Sequence, residues 1–174
     1  MSKNKRLKMS LVAQENKIYD EYVEIDVKVG DKDYVIKLYP FFSPSKVKDM
    51  LNDVLEFYKL AKEQNLKIKD DEFEEILGYY IIKHFTDIQM TGSKKATVIY
   101  KEIKEAVNSR LFDELLKSIP KESIEYVYEK IFEMQDMLVK LESVYKNVIE
   151  EIKDLPLENK DILFPQVNSD KKNN

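Results

Sequence analysis

The chain has 174 residues, of which 43% are hydrophobic and 36% charged, with a formal net charge of −4 and no cysteine. This suits one domain with a real core and excludes disulfides and thiolate metal sites. No run approaches the ~18 apolar residues of a membrane span, and the basic start "MSKNKRLKMS" lacks the apolar stretch of a secretory signal, so a cytoplasmic protein is expected. The acidic balance, with Arg6 and Arg110 as the only arginines, argues against a dedicated nucleic-acid binder.

Residues 1–17 read as a flexible basic arm in which Lys3, Lys5, Arg6 and Lys8 cluster. A helical domain over 18–155 and a polar tail over 156–174 follow. In "YVEIDVKVGDKDYVIKLYPFFSPSK", Val23, Ile25, Val27 and Val29 alternate with Glu24, Asp26 and Lys28. Tyr34, Ile36 and Leu38 repeat the alternation after "GDKD". Period two marks a half-buried strand, so 22–39 is predicted to be a β-hairpin. A lone hairpin is barely stable in water, so its Val/Ile face is expected on a helix. Its edges would remain open to a strand from another copy or a partner. Phe41 and Phe42 stand at the corner and are expected to plug the joint between ribbon and helix.

Ser43 caps the next helix and Pro44 suits its first turn. Val47, Met50, Leu51, Val54, Leu55, Tyr58 and Ala61 recur at helical spacing. The acidic cluster Asp70, Asp71, Glu72, Glu74 and Glu75 complements a helix N-terminus better than it forms a cation loop. The second helix presents Phe73, Ile76, Leu77, Tyr80, Ile81, Phe85 and Ile88. His84, the only histidine, has no partner histidine or cysteine and reads as structural. A third helix carries Ile99, Ile103, Ala106, Val107, Leu111, Leu115 and Leu116 as far as Pro120.

In the last helix Ile124, Val127, Ile131, Met134, Leu138, Leu141, Tyr145, Val148 and Ile152 follow a 3, 4 alternation, an unbroken heptad seam. The seam spans roughly 48 Å at about 1.5 Å per residue. Tyr128, Met137, Val144 and Ile149 widen the stripe, which suits two neighbours, from this chain or from a second subunit. The expected fold class is mainly α: a bundle of about four helices with a small N-terminal β-hairpin.

No glycine-rich phosphate loop, nucleophile with a histidine base, or metal-ligand spacing occurs. No enzymatic activity and no cofactor are expected. The residues expected to contact another protein are Phe41, Phe42, Met134, Met137, Leu138, Leu141, Tyr145 and Val148.

The ribbon of the form V-x-V-G-x-x-x-Y-x-I-x-L-Y, the following "PFFSPSKVKDML", and then only helices and a polar tail resemble the tail assembly chaperones of long-tailed bacteriophages. The likeness covers mainly residues 22–60. It implies binding to the long helical tape-measure protein, whose apolar surface the chaperone keeps soluble until tail-tube subunits replace it. It implies no catalytic residue. Two other readings stand beside it. "FTDIQMTGSKKATVIYKEIKEAV" could be a helix-turn-helix of a nucleic-acid-binding regulator, with Ser93, Lys94, Lys95 and Thr97 facing phosphate. A connector or scaffold subunit of a virion, stable as a homo-oligomer, is the other.

Overall fold

The computed structural model describes residues 6–136. The chain divides into two compact units, Met1–Lys130 and Ile131–Asn174, and the packing described below lies in the first. A short helix, α1 (Met9–Glu15), and a 3-10 turn (Asn16–Asp20) bury no residue. Then come β1 (Val23–Val29), β2 (Lys32–Leu38), α2 (Pro44–Glu63), α3 (Phe73–Phe85), α4 (Ala96–Val107) and α5 (Arg110–Lys117). Residues 121–136 are also helical and are called α6.

The two strands pair antiparallel with Val23 opposite Leu38, Ile25 opposite Ile36, Val27 opposite Tyr34 and Val29 opposite Lys32. The alternation in the sequence thus becomes one apolar face. Gly30 adopts φ +62°, the left-handed value that a two-residue hairpin turn of type II′ requires at its first position. The outer edge of β2 is stitched to the end of α3. Tyr39 N–H donates to Phe85 O at 2.8 Å, Asp87 N–H to Lys37 O at 3.2 Å, and Lys37 N–H to Asp87 Oδ1 at 2.9 Å.

At the corner after β2, Phe42 is buried and stacks on Phe85, with ring centroids 3.6 Å apart and planes 15° from parallel. Ser123 of α6 donates its hydroxyl to Pro40 O at 2.6 Å, tying the far helix to the same corner. Ser43 then accepts the Lys46 N–H on its Oγ at 3.3 Å, capping α2. At the other end of α2, Asn65 takes φ 56°, and Leu66 N–H reaches Ala61 O while Asn65 N–H reaches Lys62 O. These are the two bonds of a Schellman stop.

α3 is the core element. Every residue from Ile76 to Ile82 is buried, and α2, α4 and α5 all touch this helix. A helix apolar all round belongs inside a bundle rather than on its surface. Gly78 sits where a Cβ would come within 3.1 Å of Leu116 Cδ1, so α5 approaches α3 closely at this point.

The described residues hold six helices instead of about four. One addition is α1, in the segment expected to be an arm. The other comes from a break in the expected third helix. Asn108 turns its side-chain amide back to Lys104 O at 2.8 Å, and Ser109 is extended, so α5 starts afresh. The second predicted helix also stops before Ile88. Thr86 donates its hydroxyl to Ile82 O at 2.7 Å and leaves the helix to bridge Leu38. On α2 the buried stripe includes Phe57, while Leu55 is exposed and Tyr58 only half-buried. No helix of the described residues is long and apolar enough to cross a membrane.

Candidate functional site

Of the residues expected to contact a partner, Phe42 is in the core and Phe41 is half-buried beside it. Met134 is half-buried on α6. Met137, Leu138, Leu141, Tyr145 and Val148 lie outside the described residues. The seam and the aromatic corner are therefore not seen as one site.

Two clusters of polar side chains among the described residues act as locks. Glu72, buried at the head of α3, accepts the Lys69 N–H at 3.0 Å and the Tyr100 hydroxyl at 2.8 Å. Lys104 of α4 bridges Glu72 and Glu75, at 2.7 Å to each. The Lys104 and Lys69 bonds hold the Glu72 carboxyl down at about 2, and the two carboxylates push the Lys104 ammonium up. The acidic cluster is thus partly a clasp between α3 and α4, besides complementing a helix N-terminus. In the second lock Asp53 of α2 meets Lys83 at 2.9 Å and His84 at 3.0 Å. Burial alone raises the Asp53 carboxyl, but the hydrogen bonds from Lys83 and His84 outweigh it and leave the group lowered. His84 is thereby engaged in pinning α3 to α2.

Among the described residues no group of three or more His, Asp or Glu is placed to hold a metal ion.

The connection between α3 and α4, residues 86–95, is ten residues long. A helix-turn-helix needs a turn of about 3–4 residues. This connection is also held to the body. Gln64 accepts the Ala96 N–H at 2.8 Å and donates to Lys94 O at 3.1 Å, while Glu102 accepts the Thr91 N–H at 3.0 Å. The segment around Ser93–Lys95 is a strapped ten-residue connection, longer than the turn of a helix-turn-helix.

What stands out on the surface is apolar. Exposed large hydrophobic side chains number thirteen among the described residues, and nine fall between Leu7 and Val35. They are Leu7, Met9, Leu11, Ile18, Tyr22, Val23, Val29, Tyr34 and Val35. On the hairpin the reason is geometric. Ile36 and Leu38, near the corner, are covered by the bundle, whereas Tyr34 and Val29, towards the turn, are 49% and 55% exposed. On β1 no residue is buried, and Val23 is exposed even though it pairs with Leu38 at the corner end, so the helices cover β2 rather than the whole apolar face. Beside it an open groove of about 400 Å³ separates β1 from α5, lined by Ile25, Val27, Leu111 and Leu115 with Arg110 and Glu114 at its rim. The alternation marked this face but led to the expectation that a helix covers it; instead Val23 and Val29 are exposed and only Ile36 and Leu38 are buried. It could not show how far the helical layer reaches.

The family model described as YomO matches residues 9–168. A prophage protein of Bacillus subtilis (strain 168), described as the SPbeta prophage-derived uncharacterized protein YomO, is 26% identical over 121 residues, covering 70% of each chain. No solved structure matches the chain. The match runs from α1 through all the helices described above and beyond them, and the chain belongs to the YomO family.

Proposed function

We propose that this chain is a non-enzymatic interaction protein of a bacteriophage, a tail assembly chaperone that binds the long helical tape-measure protein. It would act in the host cytoplasm, shielding the apolar stripes of that protein until tail-tube subunits replace it. The observation that carries the reading is the concentration of exposed apolar side chains between Leu7 and Val35. Large apolar side chains exposed in such number on one stretch of a folded chain suit a contact site. The prophage origin of a relative supports the setting. The ribbon and corner of residues 22–60 support the narrower identity by resemblance only.

The physics of the role is modest contact repeated many times. A partner hundreds of residues long is held by multivalency while each individual contact stays reversible. Met134, Met137, Leu138, Leu141, Tyr145 and Val148 are proposed as a second contact strip, since methionine adapts to irregular apolar partners. No bond is made or broken, and no cofactor takes part. A connector or scaffold subunit would instead form an oligomer of fixed size at every concentration.

The test is co-expression with the tape-measure protein of the same phage, followed by centrifugation. The partner is expected in the supernatant with this chain and in the pellet without it. Equal precipitation in both cases would falsify the chaperone reading.

A further inference from the structure

The edge of β1 remote from β2 has no strand beside it among the described residues. Its backbone polarity follows from the other edge. Lys37 directs its N–H and carbonyl away from β1, towards Asp87. In an antiparallel ladder the residue opposite does the same on the far side, so Glu24 offers its N–H and C=O to the free edge. Asp26 and Lys28 follow at period two. Each presents a donor and an acceptor that have no backbone partner outside the hairpin among the described residues, with α5 across the groove from this edge.

The strand also complements itself. When VEIDVKV is laid antiparallel on a second copy about Asp26, Glu24 meets Lys28, Val23 meets Val29 and Ile25 meets Val27, each pair twice. Apolar residues then face apolar residues on one side, and opposite charges pair on the other. The one unfavourable pair is Asp26 against its own copy. Slipping by one residue sets apolar against charged positions. Slipping by two leaves five residues of each strand paired in either direction: residues 23–27 with Glu24 opposite Asp26 twice, or residues 25–29 with Asp26 opposite Lys28 twice, which gives up both Glu24–Lys28 and both Val23–Val29 pairs.

We propose that the protein forms a twofold dimer through its β1 edges, centred on Asp26, joining two hairpins into a four-stranded antiparallel sheet. Cross-strand pairs of these types stabilise a ladder, and the like-charge pair at the axis keeps the association weak and concentration-dependent. This inference needs no partner protein and stands or falls apart from the chaperone reading.

Two measurements on the full chain test it. The first is sedimentation over a concentration series. The wild type is expected to pass from monomer to dimer, Lys28→Glu to weaken the dimer about tenfold, and the exchange Glu24→Lys with Lys28→Glu to restore it. Lys28→Gln, a milder change, should give a smaller loss and serves if the charge reversal disturbs the circular dichroism. The second uses the absence of native cysteine. Asp26→Cys should oxidise readily to a disulfide-linked dimer, because Cα atoms in a hydrogen-bonded pair lie about 5.5 Å apart. Glu24→Cys, placed opposite Lys28 of the other copy, should link far more slowly. A wild type that stays monomeric throughout overturns the proposal. So does a charge exchange that restores nothing, or equal cross-linking of the two thiol variants.

Discussion

Glu72 shows how one carboxylate joins three parts of the chain. It ties the Lys69 backbone, the Tyr100 hydroxyl and the Lys104 ammonium into a single network. Its folded value of about 2 lies below the ordinary 4.5, so its stabilisation is present above pH 4.5 and lost as the pH falls towards 2. Glu72→Gln is expected to cost about 1–3 kcal/mol at neutral pH, because the half-buried Tyr100 and Lys104 lose a charged acceptor. Urea denaturation at pH 7 and pH 3 checks this: the variant should lose less stability than the wild type between the two. Phe42→Ala should be more severe, about 3–5 kcal/mol in the same assay, since it removes a fully packed ring from the stack on Phe85. The corner role of Phe42 was readable from its place between strand and helix. Its partner Phe85, forty-three positions away, was not, because spacing along a chain says nothing about which buried rings meet.

Elements obey the same division. The hairpin faces and the Ser43 cap follow from local rules, alternation for one and a side-chain acceptor before proline for the other. Ser43→Ala should therefore lower stability by about 1 kcal/mol, measured by thermal unfolding. The break between α4 and α5 was hidden, because "VNSRLF" continues a helical stripe and only the folded geometry lets Asn108 bond back to Lys104. The early end of α3 was hidden for another reason. Thr86 and Asp87 are claimed by the edge of β2, a tertiary demand that overrides helical spacing. On α2, i+3 and i+4 steps from Val54 lead to Phe57 and Tyr58, and only contact with α3 selects Phe57. The exposed end of the hairpin carries its own prediction. Val29→Ser with Tyr34→Ser should shift stability by no more than about 0.5 kcal/mol, as surface changes do, while partner binding falls.

At the scale of the molecule, the body is a helical clamp around α3 with an apolar ribbon extending past it. The locks at Glu72 and Asp53 fasten α3 to its neighbours, and the nine exposed apolar residues between Leu7 and Val35 lie on elements outside that clamp. A rigid core carrying an uncovered apolar ribbon suits a protein that lends surface to another chain. Amide hydrogen exchange of the full chain, alone and with the tape-measure protein, tests this most directly. The account predicts protection over residues 7–35 on binding, with the amides of α3 unchanged. Protection confined to other segments, with 7–35 exchanging as in the free protein, would contradict it.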